Sequence, residues 1–229
     1  MLVSRKSAIL RNMKETRDTF KKRLKNLSDK DQKLVDFAYD IAKESHRTQK
    51  RDGGNRYFEH LRSVTLILVD ECKISDPDLI IAALLHDSME DTGIFGSQKD
   101  GYENLKQVSK FRISHIFNNR VYGIVLNVTK LKVDDINVFS KAEAEERYLH
   151  NLKKSNPESI LIKMCDRLHN LRTLAECTKE KIGRKIKETE VEYYPIFEKI
   201  LDSKYKKEGK KLFDAIKKEV GVLKKSSVV

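Results

Sequence analysis

The stretch Leu79–Asp91, LIIAALLHDSMED, decides the fold. Seven apolar residues run without interruption to Leu85, and five of the next six are polar or ionisable. Such a run is a buried helix, so its polar end holds a site. His86 and Asp87 are adjacent, and each has a carboxylate four residues on, Glu90 and Asp91. On one continuous helix these would present an imidazole and three carboxylates from a single turn. Carboxylates crowded in that way need a cation. A His-Asp doublet offers one nitrogen and one hard oxygen, which suits a divalent ion of the manganese, iron or zinc kind, and it leaves Glu90 and Asp91 to handle protons. Read in isolation, the residues also fit a histidine capping a core helix beside solvated acids.

Two further segments shift that balance. His60 lies in YFEHLRSVTLILVDE, and Asp166 lies in SILIKMCDRLHNLRTL, a second mostly apolar helix pattern with an acid and a histidine in mid-run. Burying an unpaired charge is costly, so an acid there calls for a metal or a cation beside it. The order His, then His-Asp, then a distant Asp resembles the HD phosphohydrolase superfamily. KRDGGNRYFEH, ALLHDSMEDT, NVTKLK and IKMCDRLHNLRTL, followed by ETEVEYYPI, resemble more closely the hydrolase domain of the RelA/SpoT alarmone enzymes. The resemblance extends over roughly residues 37–196.

The resemblance implies an all-α HD-domain helical bundle. It implies His60, His86, Asp87 and Asp166 as metal ligands, with manganese as the family's usual ion, and Glu90 and Asp91 as the catalytic pair. It also implies that Arg51 stacks on the base with Lys50 near phosphate, that Asn170 and Thr173 meet ribose and base, and that Tyr193 lines the pocket. His169 would support the ligands, and the Asn127–Leu131 segment would back the metal site with Lys130 near a phosphate. The implied reaction is hydrolysis of the 3′-pyrophosphate of guanosine tetra- or pentaphosphate, by a stand-alone small hydrolase. Asp52 beside Arg51 and Leu61 after His60 depart from the family pattern, which loosens the base preference. Another HD-type nucleotide phosphohydrolase, or a catalytically silent nucleotide- or nucleic-acid-binding module, are the alternative readings. Taken without the resemblance, Arg51 is surface charge, Tyr193 a core aromatic and Asn170 an internal hydrogen-bonding residue.

Composition is consistent with this class. The chain has 229 residues, 39% of them hydrophobic, with only nine Gly and three Pro, and its periodicity is helical rather than alternating. Cys72, Cys165 and Cys177 share no metal-type spacing, which favours reduced thiols and a cytoplasmic setting. No apolar run approaches the roughly 20 residues that cross a bilayer. The net charge of +12 sits at the ends: residues 1–26 carry nine basic and two acidic residues, and 203–229 carry nine and three. The intervening 27–202, read as the HD domain, is therefore close to neutral. Basic ends with few aromatics read as solvated helix faces rather than as a nucleic-acid surface.

Along the chain, Ile9, Leu10, Met13 and Phe20 could dock one face of an N-terminal helix. Ser28 reads as an N-cap before a core face of Leu34, Phe37, Ala38, Ile41 and Ala42. Asp76 or Ser75, with Pro77, starts the central helix, and Asn156-Pro157 repeats the device. Residues 93–126 read largely as an inserted helix and loop, with His115 partly buried there. Pro195 should kink a helix over 181–201. Leu212, Phe213, Ile216 and Val220 on the basic segment 203–229 fit a docked helix or a contact between copies in a homo-oligomer.

Overall fold

The computed structural model describes residues 15–132 and 139–227, apart from the side chains of 176 and 227. Ile9, Leu10 and Met13 lie outside the described residues. The helices are α1 (Arg17–Lys22), α2 (Asp29–Ser45), α3 (Tyr57–Leu66), α4 (Pro77–Leu85), α5 (Ser88–Asp91), α6 (Tyr102–Ile116), α7 (Asn119–Val128), α8 (Lys141–Lys154), α9 (Pro157–Arg172), α10 (Lys179–Glu188), α11 (Tyr194–Phe197) and α12 (Lys206–Ser227). Among the described residues there is no strand, only isolated bridges such as Lys50 with Arg56, which pinches the turn before α3. The fold is an all-α bundle.

The rod at its centre is α4, whose residues Leu79 to Leu85 are at most 1% exposed. It is enclosed by α2, α3, α7 and α9. Burying its five Leu and Ile side chains stabilises the fold by about 2 kcal/mol each, far more than the propensity of a nine-residue helix supplies. Its start is fixed by the Asp76 cap, whose Oδ1 accepts from the Asp78 backbone N–H at 3.0 Å, with Pro77 in the first turn. Arg120 then clamps that end, 2.7 Å from Asp76 and 3.1 Å from Asp78.

Several expectations are corrected. The helix does not continue to Asp91: it stops at Leu85, and Asp87 adopts φ −99°, ψ −2° before the short α5. On α2, Ser28 caps as expected, but the buried stripe is Val35, Ala38, Tyr39 and Ala42, while Phe37 is 50% exposed. Tyr39 turns inward because Phe20 and Phe58 pack on its ring, with centroids 5.2 and 4.8 Å away. The last part of 93–126 belongs to the core. Helix α7 buries Val121, Ile124, Val125 and Val128 and packs on α4 and α9. His115 is exposed on α6, with Nδ1 2.8 Å from its own helix's Phe111 carbonyl.

The helix over 181–201 changes its winding before the proline is reached. A widened, π-helical turn over Thr189–Tyr193 follows α10, and Pro195 falls in the first turn of α11, where its missing N–H costs nothing. Helix α12 is docked: Leu212, Phe213, Ile216, Val220 and Leu223 belong to the same core as α4. Gly209 permits this closeness, since a Cβ there would lie 2.6 Å from Ile200 Cγ1.

Candidate metal centre and active site

Three helices converge on the polar end of α4. Helix α3 supplies His60, the α4–α5 break supplies His86 and Asp87, and α9 supplies Asp166. One ligand atom each from His60, His86 and Asp87 lies within 4.8 Å of the others. His60 Nε2 is also 3.2 Å from Asp166 Oδ1 and 3.6 Å from Asp87 Oδ2. The helix break makes this possible, because it turns Asp87 back toward His60 instead of along the helix face.

The donor set fits a divalent cation. His86 Nδ1 lies 2.8 Å from the Ala83 carbonyl and donates to it, so in the neutral ring the proton is spent there and Nε2 carries a lone pair. That Nε2 is buried without a hydrogen-bond partner, although Asp87 Oδ2 is 3.2 Å away. The two atoms face a common volume without the alignment of a hydrogen bond, as ligands of one ion do. The field is that of a cation site. Burial disfavours a charged His86, yet Asp87 beside it outweighs burial and pushes the imidazole up to about 9. Burial would raise Asp87, but His86 and His60 hold it well below the usual carboxylate range. Two nitrogens and carboxylate oxygens suit manganese, iron or zinc better than magnesium.

A second ring of contacts fixes these groups. Lys163 Nζ sits 2.8 Å from Asp166 Oδ2, and Asn170 Nδ2 donates to Asp166 Oδ1 at 2.6 Å. Burial alone would raise Asp166, but Lys163 and then His60 lower it far below its ordinary value. Arg51 Nη2 donates to Asn170 Oδ1 at 2.6 Å, and its Nη1 lies 3.0 Å from His60 Nδ1 and 3.3 Å from His169 Nδ1. Arg51 is thus turned inward over the histidines rather than presenting a free planar face to solvent.

The acid pair flanks the cluster on the α5 side. Burial, and then the charge of Asp87, raise the Glu90 carboxyl, while the backbone N–H of Lys130 donates to its Oε2 at 3.0 Å. The Lys130 ammonium is engaged elsewhere, 2.5 Å from Glu145. Asp91 Oδ2 receives the Tyr57 hydroxyl at 2.8 Å, and the same hydroxyl is 2.8 Å from Asp87 Oδ2.

Three sequence candidates stand apart. Lys50 is exposed beside the turn. Thr173 is exposed at the end of α9, and its hydroxyl donates to the His169 and Asn170 carbonyls at 3.1 and 3.2 Å. Tyr193 is 1% exposed, its ring beneath the Arg167 guanidinium at 3.8 Å, so it is a core aromatic rather than an open pocket wall. Sequence reasoning missed Tyr57, His46, Gln49 and Lys163. Tyr57 and Lys163 sit inside the motif segments, three residues before a proposed ligand in each case, and that spacing was the available signal.

Residues 38–199 match the family model of the HD domain. The chain belongs to the HD domain family. Membership implies dependence on a divalent metal, and His60, His86 and Asp87 form a cluster that could hold one. It is 34% identical over 162 residues to a GTP pyrophosphokinase of Streptomyces coelicolor, covering 71% of this chain and 17% of that protein. It is 36% identical over 164 residues to a guanosine-3′,5′-bis(diphosphate) 3′-pyrophosphohydrolase of Aquifex aeolicus, covering 71% and 21%. The HD domain thus spans about a fifth of the length of the curated relatives it matches. Its fold is similar to the solved structure of a metazoan ortholog of SpoT that hydrolyzes ppGpp, with TM-score 0.58, 26% identity, and coverage of 79% of this chain and 94% of that one. No described helix is long and apolar enough to cross a membrane.

Proposed function

We propose that this HD domain hydrolyses the 3′-pyrophosphate of guanosine tetra- and pentaphosphate, giving GDP or GTP and pyrophosphate. The observation that carries the reading is the convergence of His60, His86, Asp87 and Asp166 beside the Glu90–Asp91 pair, in a chain similar to alarmone hydrolases over most of its length. His60, His86, Asp87 and Asp166 would hold one divalent ion, manganese in our reading, because imidazole is a poor magnesium ligand. Bound there, the ion supplies Lewis acidity toward a phosphoryl oxygen and acidifies water near neutral pH.

The chain's own residues supply the proton chemistry. Asp91, held by Tyr57, takes a proton from the attacking water as its oxygen bonds to phosphorus. Glu90, the carboxyl raised by burial and by Asp87, is placed to pass a proton to the ribose 3′-oxygen as the phosphorus–oxygen bond breaks. Lys163, tied to Asp166, keeps the ligand side from accumulating uncompensated negative charge. Asn170 and Arg51 form the base side of the site. Stacking of Arg51 on guanine requires its guanidinium to leave Asn170, so nucleotide entry and rearrangement of Arg51 are one event.

The test is product analysis after incubating metal-stripped protein with guanosine tetraphosphate, with and without manganese, alongside Asp87→Ala. Manganese-dependent release of GDP and pyrophosphate, absent in the variant, supports the reading. Folded, manganese-loaded protein that leaves the alarmone intact but cleaves another phosphorylated nucleotide would replace the substrate and keep the site.

A further inference from the structure

Tyr57 occupies a position that neither the ligand set nor the acid pair explains. Its hydroxyl is 2.8 Å from Oδ2 of Asp87 and 2.8 Å from Oδ2 of Asp91, so one phenolic proton serves a proposed metal ligand and a proposed proton-transfer group. Asp87 caps α5 and Asp91 ends it, and the Asp91 backbone N–H donates to the Asp87 carbonyl at 2.9 Å, which fixes the two backbones but not the rotamers of the two carboxylates. Something must hold them in register.

The tyrosine is itself built in. Its backbone N–H donates to the Gln49 carbonyl at 3.0 Å. Its ring lies flat against His46, with centroids 4.9 Å apart and planes 9° apart, and edge-on to His60 at 5.8 Å. His46 is fully buried, and its Nδ1 lies 2.7 Å from Gln49 Oε1. The other end of that amide, Nε2, donates to the Asp91 backbone carbonyl at 2.8 Å. Gln49 therefore anchors both the ring that backs Tyr57 and the chain segment that carries Asp91. A surface tyrosine meeting an acid by chance would have none of these supports.

We infer that Tyr57 is a positioning residue, which yokes the Asp87 and Asp91 carboxylates at the two ends of α5, with His46 and Gln49 as its backing. The inference rests on the proposed function for the meaning of Asp91, but not for the geometry around Asp87. Groups that hydrogen-bond a ligating side chain commonly govern metal affinity or activity by 10- to 100-fold.

Tyr57→Phe keeps the ring and its stack on His46 and deletes only the hydroxyl. Two readouts test it. Metal-stripped protein titrated with manganese chloride, with free Mn2+ followed by electron paramagnetic resonance, should bind the ion about tenfold more weakly than the wild type. At saturating manganese, kcat for guanosine tetraphosphate should fall at least about tenfold while KM changes less than about threefold, because the substituted group touches no substrate. A melting curve matching the metal-free wild type confirms that the fold is intact. If it does not match, Gln49→Leu, which removes the anchor and spares the ring, is read by the same titration and must weaken manganese binding. Unchanged manganese affinity overturns the inference, and so does weakened affinity with unchanged kcat, which would leave Asp91 independent of Tyr57. Wild-type protein that binds manganese but leaves the alarmone intact overturns the proposed substrate alone, since the titration needs no turnover.

Discussion

The Nδ1 atoms of His60 and His169 lie 2.8 Å apart, close enough to share one proton. Arg51, always a donor, also points at both, so at least one of the two nitrogens must be bare. Ligation through His60 Nε2 requires the proton on His60 Nδ1, which makes His169 Nδ1 the acceptor and obliges Arg51 Nη1, 3.0 Å from His60 Nδ1, to turn its N–H to His169 alone. His169 suits that part, because burial, followed by the charges of His60 and Arg51, drives its basicity well below the ordinary imidazole value.

His169→Leu should therefore weaken manganese binding by 10- to 100-fold, whereas His169→Asn, which can still present an acceptor oxygen, should lose much less. Isothermal titration of both variants checks this. Equal losses in the two would show that His169 acts by packing rather than by fixing the tautomer of His60.

Acid should weaken the fold in part through Glu188. Glu188 lies 2.8 Å from Arg167, and although burial works to raise its carboxyl, Arg167 and Lys185 bring it below its usual value. A carboxylate lowered in the folded state contributes stability that is present above its unfolded value, roughly pH 4.5, and is lost as pH falls through the folded value. Glu188→Gln should thus lower stability at pH 7 and flatten the loss of stability below about pH 4.5, as measured by urea unfolding of metal-free protein across pH 3–7. An acid limb as steep as the wild type's would remove Glu188 from the account.

Gly209→Ala should cost about 1–3 kcal/mol, because the added methyl group collides with Ile200 and one of the two must shift. Combining it with Ile200→Ala should restore part of the loss, so the two changes should be non-additive in a chemical-denaturation cycle. Strict additivity would mean that α12 and the Ile200 segment do not meet as closely as described.

What the sequence disclosed was local, and what it withheld depended on distant partners. The Asp76-Pro77 and Asn156-Pro157 starts were legible because a cap and a proline act within one turn. The spacing of Val121, Ile124, Val125 and Val128 was a core face in plain view, but the length of 93–126 drew attention to an insertion instead. Phe37 has the periodicity of a core residue, yet the aromatic cluster of Phe20, Tyr39 and Phe58 rotates the buried stripe by about one position. For the site, the motif order pointed to His60, His86, Asp87 and Asp166, and the structure gathers the first three with Asp166 beside His60. It could not show the stack of His46 on Tyr57, because that contact exists only when the Gly53-Gly54 turn folds α3 back against the end of α2. Nor could it show that Tyr193 is covered, since Arg167 reaches it from another helix.

One side chain at the end of α4 carries two duties. His86 offers Nε2 to the cluster while its Nδ1 closes the helix by bonding the Ala83 carbonyl. Replacing it removes a ligand and at the same time strands a buried backbone acceptor, at a further cost of about 1–3 kcal/mol. Glu90 and Asp91 carry no comparable structural debt to α4. Loss of His86 should therefore lower stability even in metal-free protein, whereas loss of Asp91, exposed at the end of α5, should not.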